Sequence, residues 1–77
     1  MVNYKLYKRL KDMREDHDLS QKDIAELLGT NQQQISRWET GMQMMGVDKY
    51  VVLAEHYNIS VDYLLGLTDI PKKLHEK

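Results

Sequence analysis

Residues 19–41 read LSQKDIAELLGTNQQQISRWETG, and this segment specifies most of the predicted architecture. Apolar residues recur at helical spacing on both sides of Gly29-Thr30, which predicts two short helices joined by a tight turn. Ser20, with Asp23 three residues later, is typical of a helix N-terminus, and Asn31 supplies a similar cap for the second helix. Two short helices separated by a turn of three or four residues form a helix-turn-helix motif.

The second helix of this motif divides into two sides on a helical wheel. Ile35, Trp38 and Glu39 lie on one side, which we expect the rest of the domain to cover. The other side presents two amides, a hydroxyl and a guanidinium. These groups belong to Gln32, Gln33, Ser36 and Arg37. In the DNA major groove glutamine pairs with adenine and arginine with guanine, whereas a merely solvated helix usually carries glutamate and lysine. The sequence therefore predicts that these four residues read bases.

The rest of the chain predicts three more helices and no strand. Their expected positions are Tyr4 to Asp16, Val47 to Tyr57, and a short segment after the cap Ser60. The prediction is a compact all-α, five-helix domain over residues 4–69, followed by a flexible C-terminal tail over residues 70–77.

Composition limits the classes of function. The chain of 77 residues has no cysteine and no apolar run near the ~20 residues that span a bilayer, so we expect a cytoplasmic protein without a membrane segment. No side chains combine into a nucleophile–base pair, a phosphate-binding glycine loop or a metal site, which argues against an enzyme, a cofactor and a metal ion. Eleven basic and twelve acidic residues give a net charge of -1, and this lowers the expected non-specific affinity for DNA.

The segments quoted above resemble the Cro/cI (XRE-type) family of helix-turn-helix transcriptional regulators. The resemblance rests on LSQKDIAELLG at 19–29, ISRWETG at 35–41 and YNISVDYLLG at 57–66, and it extends from about Leu6 to Asp69. It implies a phage-repressor-like domain that reads an inverted-repeat operator as a homodimer, most often as a repressor.

The resemblance also assigns roles to individual residues. Base reading falls to the four residues already named. Gln21 and Gln34 match positions that contact the DNA backbone, and we expect Asn31 and Gln43 to add polar contacts there. Arg14 and Glu39 match a pair that joins the first helix to the third, in agreement with the helical wheel, because an inward carboxylate needs a partner.

Two departures from the family keep a second interpretation open. Residues 42–46 read MQMMG, without the lysine or arginine that usually contacts phosphate, and Val52 replaces a solvent-facing lysine. These apolar residues suit a protein partner, so the alternative is a protein-interaction module such as an antitoxin. DNA binding should weaken steeply with rising salt, whereas an apolar protein contact should change little.

Overall fold

Five helices make up the computed structural model, which describes the backbone of residues 4–72 and the side chains of residues 7–72. They are α1 (Tyr4–Asp16), α2 (Gln21–Leu28), α3 (Gln32–Thr40), α4 (Val47–Tyr57) and α5 (Val61–Leu64). The all-α, five-helix prediction is confirmed. The part of the predicted tail beyond Lys72 lies outside the described residues.

The turn between α2 and α3 is fixed by local hydrogen bonds. Ser20 Oγ accepts from the Asp23 amide at 3.0 Å, and the Asp23 carboxylate accepts from the Ser20 amide at 2.9 Å. These bonds to Ser20 lower the pKa of Asp23. Gly29 ends α2 with a left-handed φ of 70°, and Asn31 Oδ1 accepts from the Gln34 amide at 2.9 Å to begin α3. The predicted helix-turn-helix is therefore present, with three residues between its helices.

The hydrophobic core contains residues from all five helices, and it buries one edge of α3. Ile35 of α3 is 2% exposed, and Trp38 one turn later is also buried. Around them lie Leu10, Met13, Ile24, Ala25, Leu28, Met45, Tyr50, Leu53, Ala54, Tyr57, Ile59 and Leu64. Burying one edge of α3 in this cluster leaves its opposite side on the surface.

Arg9 connects α1 to the segment that follows α5. Its guanidinium donates to the carbonyl oxygen of Tyr63 at 2.7 Å and to that of Thr68, pairs with the Asp69 carboxylate, and lies 4.0 Å above the Tyr63 ring. The Pro71 carbonyl accepts from the Ser60 amide at 2.8 Å. The chain after α5 is therefore held against the domain as far as Pro71.

Gly41 and Gly29 both adopt left-handed backbone conformations but differ in the space around them. A Cβ atom at Gly41 would lie 2.9 Å from the Tyr7 ring, whereas a Cβ at Gly29 meets nothing within 4 Å. We expect Gly29→Ala to lower the free energy of unfolding by about 1–2 kcal/mol through backbone strain alone. Gly41→Ala should cost about 1 kcal/mol more, because the Tyr7 ring must move. Urea denaturation of the two variants measures the difference, and equal losses would show that the ring moves without cost.

Candidate functional site

The side of α3 that faces away from the core is a polar surface. Gln32, Gln33 and Arg37 are exposed on it, and Ser36 is half-buried. This is the orientation that the helical wheel predicted. The surface carries amide, hydroxyl and guanidinium groups and no carboxylate. These groups can donate and accept hydrogen bonds at the base edges of a major groove without repelling its phosphates.

A buried ion pair fixes the position of α3 against α1. Arg14 Nε donates to Glu39 Oε2 at 2.8 Å, and a terminal guanidinium nitrogen donates to Glu39 Oε1 at 3.2 Å. Arg14 also donates to the carbonyl oxygen of Leu19 at 2.9 Å, just before α2. The hydrogen bond to Glu39 raises the pKa of Arg14, while burial opposes the change. The pair therefore joins α1, the start of the helix-turn-helix and α3 at a single point.

Gln21 extends this network to the protein surface. Its Nε2 donates to Glu39 Oε1 at 3.1 Å, and its Oε1 accepts from Gln32 Nε2 at 3.4 Å. The two amides and the ion pair thus form one chain of contacts from the interior to the first turn of α3. Since both ends of the Gln21 side chain have partners, its backbone amide is the better candidate for the predicted phosphate contact.

The loop after α3 is hydrogen-bonded to that helix. The amides of Met42 and Gln43 donate to the carbonyl oxygen of Arg37 at 3.0 and 3.3 Å, and Gln34 Nε2 donates to Gln43 Oε1 at 2.7 Å. Two residues predicted to contact the DNA backbone are thereby brought together. Met42 and Met44 are exposed, whereas Met45 is part of the core.

Tyr57 packs beneath the ion pair as part of the core. Burial, followed by the nearby charge of Glu39, raises the pKa of Tyr57 to about 12, so its hydroxyl stays neutral at physiological pH. Among the described side chains, those of residues 7–72, no three acidic or histidine side chains are grouped so that they could hold a metal ion. The same described part of the chain contains no helix long and apolar enough to cross a membrane.

Comparisons with known proteins agree with this geometry. The family model described as helix-turn-helix matches residues 10–64. Two relatives from Bacillus subtilis (strain 168) are the uncharacterized HTH-type transcriptional regulator YobD, 40% identical over 63 residues, and the HTH-type transcriptional regulator ImmR, 37% identical over 68 residues. These matches cover 82% and 88% of this chain but 56% and 54% of the relatives. The chain therefore spans about half the length of the curated relatives it matches.

A solved structure shares the fold. The P22 c2 repressor protein, crystallised in complex with a synthetic operator, superposes with a TM-score of 0.70 at 23% sequence identity. The match covers 78% of this chain and 91% of that chain. The comparisons confirm the family predicted from the sequence, and the two relatives from Bacillus subtilis are named as transcriptional regulators.

Among the contacts that were not predicted from the sequence are the bond from Gln21 to Glu39 and the contact between Arg9 and the segment after α5. Each joins residues that are far apart in the chain, so no helical spacing signals it. The clue to the first was the inward carboxylate of Glu39, which required donors but did not identify the second one.

Proposed function

Because the chain belongs to the helix-turn-helix family, we propose that it binds duplex DNA and regulates transcription, with α3 as the helix that enters the major groove. The observation that carries this proposal is the exposed, acid-free side of α3, held in place by the buried edge of Ile35 and Trp38 and by the ion pair to α1. A rigid helix that presents mixed donors and acceptors is suited to direct reading of bases.

In this proposal Gln32, Gln33, Ser36 and Arg37 contact base edges. Arg37 is the strongest candidate for a guanine, since a guanidinium donates in a bidentate manner to O6 and N7. The two exposed glutamines at the start of α3 suit adenine, which offers the N6 donor and the N7 acceptor. The N-terminal turn of such a helix approaches the bases most closely, so both glutamines are well placed to contact bases.

Contacts with phosphate come from neutral groups more than from charges. The first amides of α2, beginning at Gln21, lie at a helix N-terminus, where backbone N–H groups bind anions. Asn31 caps α3, Gln34 lies in its first turn and Gln43 follows its end, and all three supply further polar groups. Because few cations contribute, the affinity should fall less steeply with salt than that of a strongly basic regulator, but still much more than that of an apolar protein contact.

We also propose that the protein acts as a homodimer on an inverted-repeat operator, as a repressor. Two copies of one small domain double the length of DNA that is read, and operator symmetry then mirrors protein symmetry. Exposed apolar residues on the loop after α3 and on α4 offer surface for such a contact: Met42, Met44, Val47, Val51 and Val52. The same residues favour the alternative of a different protein partner.

Selection of bound duplexes from a random pool tests the proposal. Two half-sites in inverted orientation, with centres about one helical turn apart, would establish DNA binding and two-fold symmetry together. The affinity for the selected duplex is then measured at increasing salt concentrations. This separates the two functions, because DNA binding weakens as counterions compete for the phosphates. Failure to enrich any duplex at low salt would refute DNA binding and leave the protein-interaction module.

Arg37→Ala should relax base preference at one position of the selected site. The lost bidentate contact corresponds to about 1–3 kcal/mol of discrimination at that position, while preferences elsewhere persist. Gel-shift titrations against single-base variants of the site measure this effect. Lys22→Ala, which removes an exposed positive charge from the first turn of α2, is the matched control and should leave every base preference unchanged. A parallel loss in Arg37→Ala would instead assign Arg37 to the phosphates.

A further inference from the structure

Gln34 and Gln43 form a pair of neutral side chains at the edge of the polar surface of α3. Gln34 lies one turn before Arg37 and is half-buried, whereas Gln43 is exposed in the loop after the helix. Gln34 Nε2 donates to Gln43 Oε1 at 2.7 Å, and this bond occupies the oxygen of the Gln43 amide. The two N–H groups of that amide are therefore turned away from Gln34.

The backbone that carries Gln43 is held close to the end of α3. The amides of three successive residues, 41–43, donate to the carbonyl oxygen of Arg37. The loop cannot move away from the helix without breaking these bonds. The end of a helix that lies in the major groove adjoins the sugar-phosphate backbone, and a phosphate oxygen accepts hydrogen bonds. The outward N–H groups of Gln43 are donors of the matching kind.

Positive charge is scarce beside this pair. Residues 41–46 contain no lysine or arginine. The ammonium group of Lys49, the first lysine after the loop, lies 3.7 Å from the Asp48 carboxylate, which partly offsets its charge. The thioethers of Met42 and Met44 are exposed but have no hydrogen to donate. Gln43 is thus the one side chain of residues 41–46 that can donate a hydrogen bond to a phosphate.

We propose that Gln43 binds a DNA phosphate through its N–H groups, and that Gln34 is a positioning residue that holds the Gln43 amide in the binding orientation. Gln34 acts through Gln43 and does not itself touch the DNA. A neutral donor does not neutralise the phosphate, so the contact adds affinity without making binding more sensitive to salt. This inference rests on the proposed function, and it identifies how one phosphate is bound within it.

A double-mutant cycle on a duplex selected by the wild-type protein tests the pair. Gln43→Met keeps the length of the side chain but removes the donor, and it should lower the affinity about 5- to 50-fold for each copy bound. Gln34→Met leaves the Gln43 donor in place but free to rotate, and it should lower the affinity about 3- to 10-fold. When Gln43→Met is already present, the change at Gln34 should alter the affinity less than about twofold, because no donor is left to hold.

The salt dependence of binding distinguishes a neutral contact from a charged one. The slope of log affinity against log salt concentration should be the same in Gln43→Met and Gln34→Met as in the wild-type protein. Gln43→Lys places a cation at the same position, and it should steepen the slope by about 0.9 for each phosphate contacted. Base preferences should stay unchanged in all of these variants. Urea denaturation gives the folded fraction of each variant, by which its affinity is corrected.

Five results would overturn the inference. They are an unchanged affinity in Gln43→Met, a changed base preference or a shallower salt slope in that variant, an unchanged slope in Gln43→Lys, and an equal loss from Gln34→Met with and without Gln43. The last would mean that Gln34 contacts the DNA independently. In each case the wild-type protein still binds the selected duplex, so the proposed function stands. Absence of binding to any duplex at low salt would refute the function itself.

Discussion

Glu39→Ala is expected to lower the free energy of unfolding by about 3–5 kcal/mol, the range for removing one partner of a buried ion pair. Arg14 is only 9% exposed and its guanidinium cannot lose its proton, so the variant contains an unpaired charge in the interior. Gln21 loses its acceptor as well. Because a small domain has only about 5–15 kcal/mol in total, much of the stability should disappear. Urea denaturation followed by the fluorescence of the single tryptophan, Trp38, measures the loss.

Two further variants separate the ion pair from general effects of the substitution. Glu26→Ala removes an exposed carboxylate from α2 and should change the free energy of unfolding by less than about 0.5 kcal/mol. Replacing Arg14 with methionine and Glu39 with leucine together removes both charges and should recover much of the loss. An unchanged urea midpoint in Glu39→Ala would mean that Arg14 reaches solvent in the folded protein.

The helices could be predicted from the sequence because their ends depend on local chemistry. The bond between Ser20 and Asp23 and the left-handed turn at Gly29 involve residues a few positions apart, and their spacing is visible in the chain. Asn58 ends α4 in the same left-handed conformation. Each such signal acts independently of the tertiary structure, which explains why the predicted and observed helices coincide.

For the candidate site, the sequence predicted which side of α3 is exposed. Helical periodicity placed Gln33 and Arg37 opposite Ile35, and the structure has them there. Periodicity does not determine what the side chains bind within the protein. The Gln34–Gln43 bond depends on the path of the loop after α3, and the Gln21–Glu39 bond depends on how three helices meet. Roles in contacting bases or phosphates remain predictions.

The segment after α5 shows the same limit. The sequence predicted a flexible tail from residue 70, and no local pattern indicated that the Pro71 carbonyl accepts from the Ser60 amide. In the same region Arg9, more than fifty residues earlier, donates to the carbonyl oxygens of Tyr63 and Thr68. The sequence around Arg9 predicts an exposed basic residue on α1. Nothing in that sequence indicates that its partners lie near the other end of the chain.

Ile35→Ala should lower the free energy of unfolding by about 2–5 kcal/mol, because it removes three carbon atoms from a side chain that is 2% exposed. Ile35→Val removes one carbon and should cost about 0.5–1.5 kcal/mol. Leu27→Ala on α2 is the matched surface control, since Leu27 is 40% exposed, and it should cost less than Ile35→Ala. Thermal melts of the three variants give this order.

Ile35→Ala should weaken DNA binding only because it reduces the fraction of protein that is folded. Ile35 lies on the side of α3 opposite Gln33 and Arg37, so the folded fraction of the variant should keep the base preference of the wild type. A selected duplex at about 100 times its Kd should stabilise the variant by about 2.7 kcal/mol and raise its melting temperature, because only the folded state binds. A changed base preference with unchanged stability would contradict this, and it would place Ile35 on the DNA side of α3 rather than in the core that supports it.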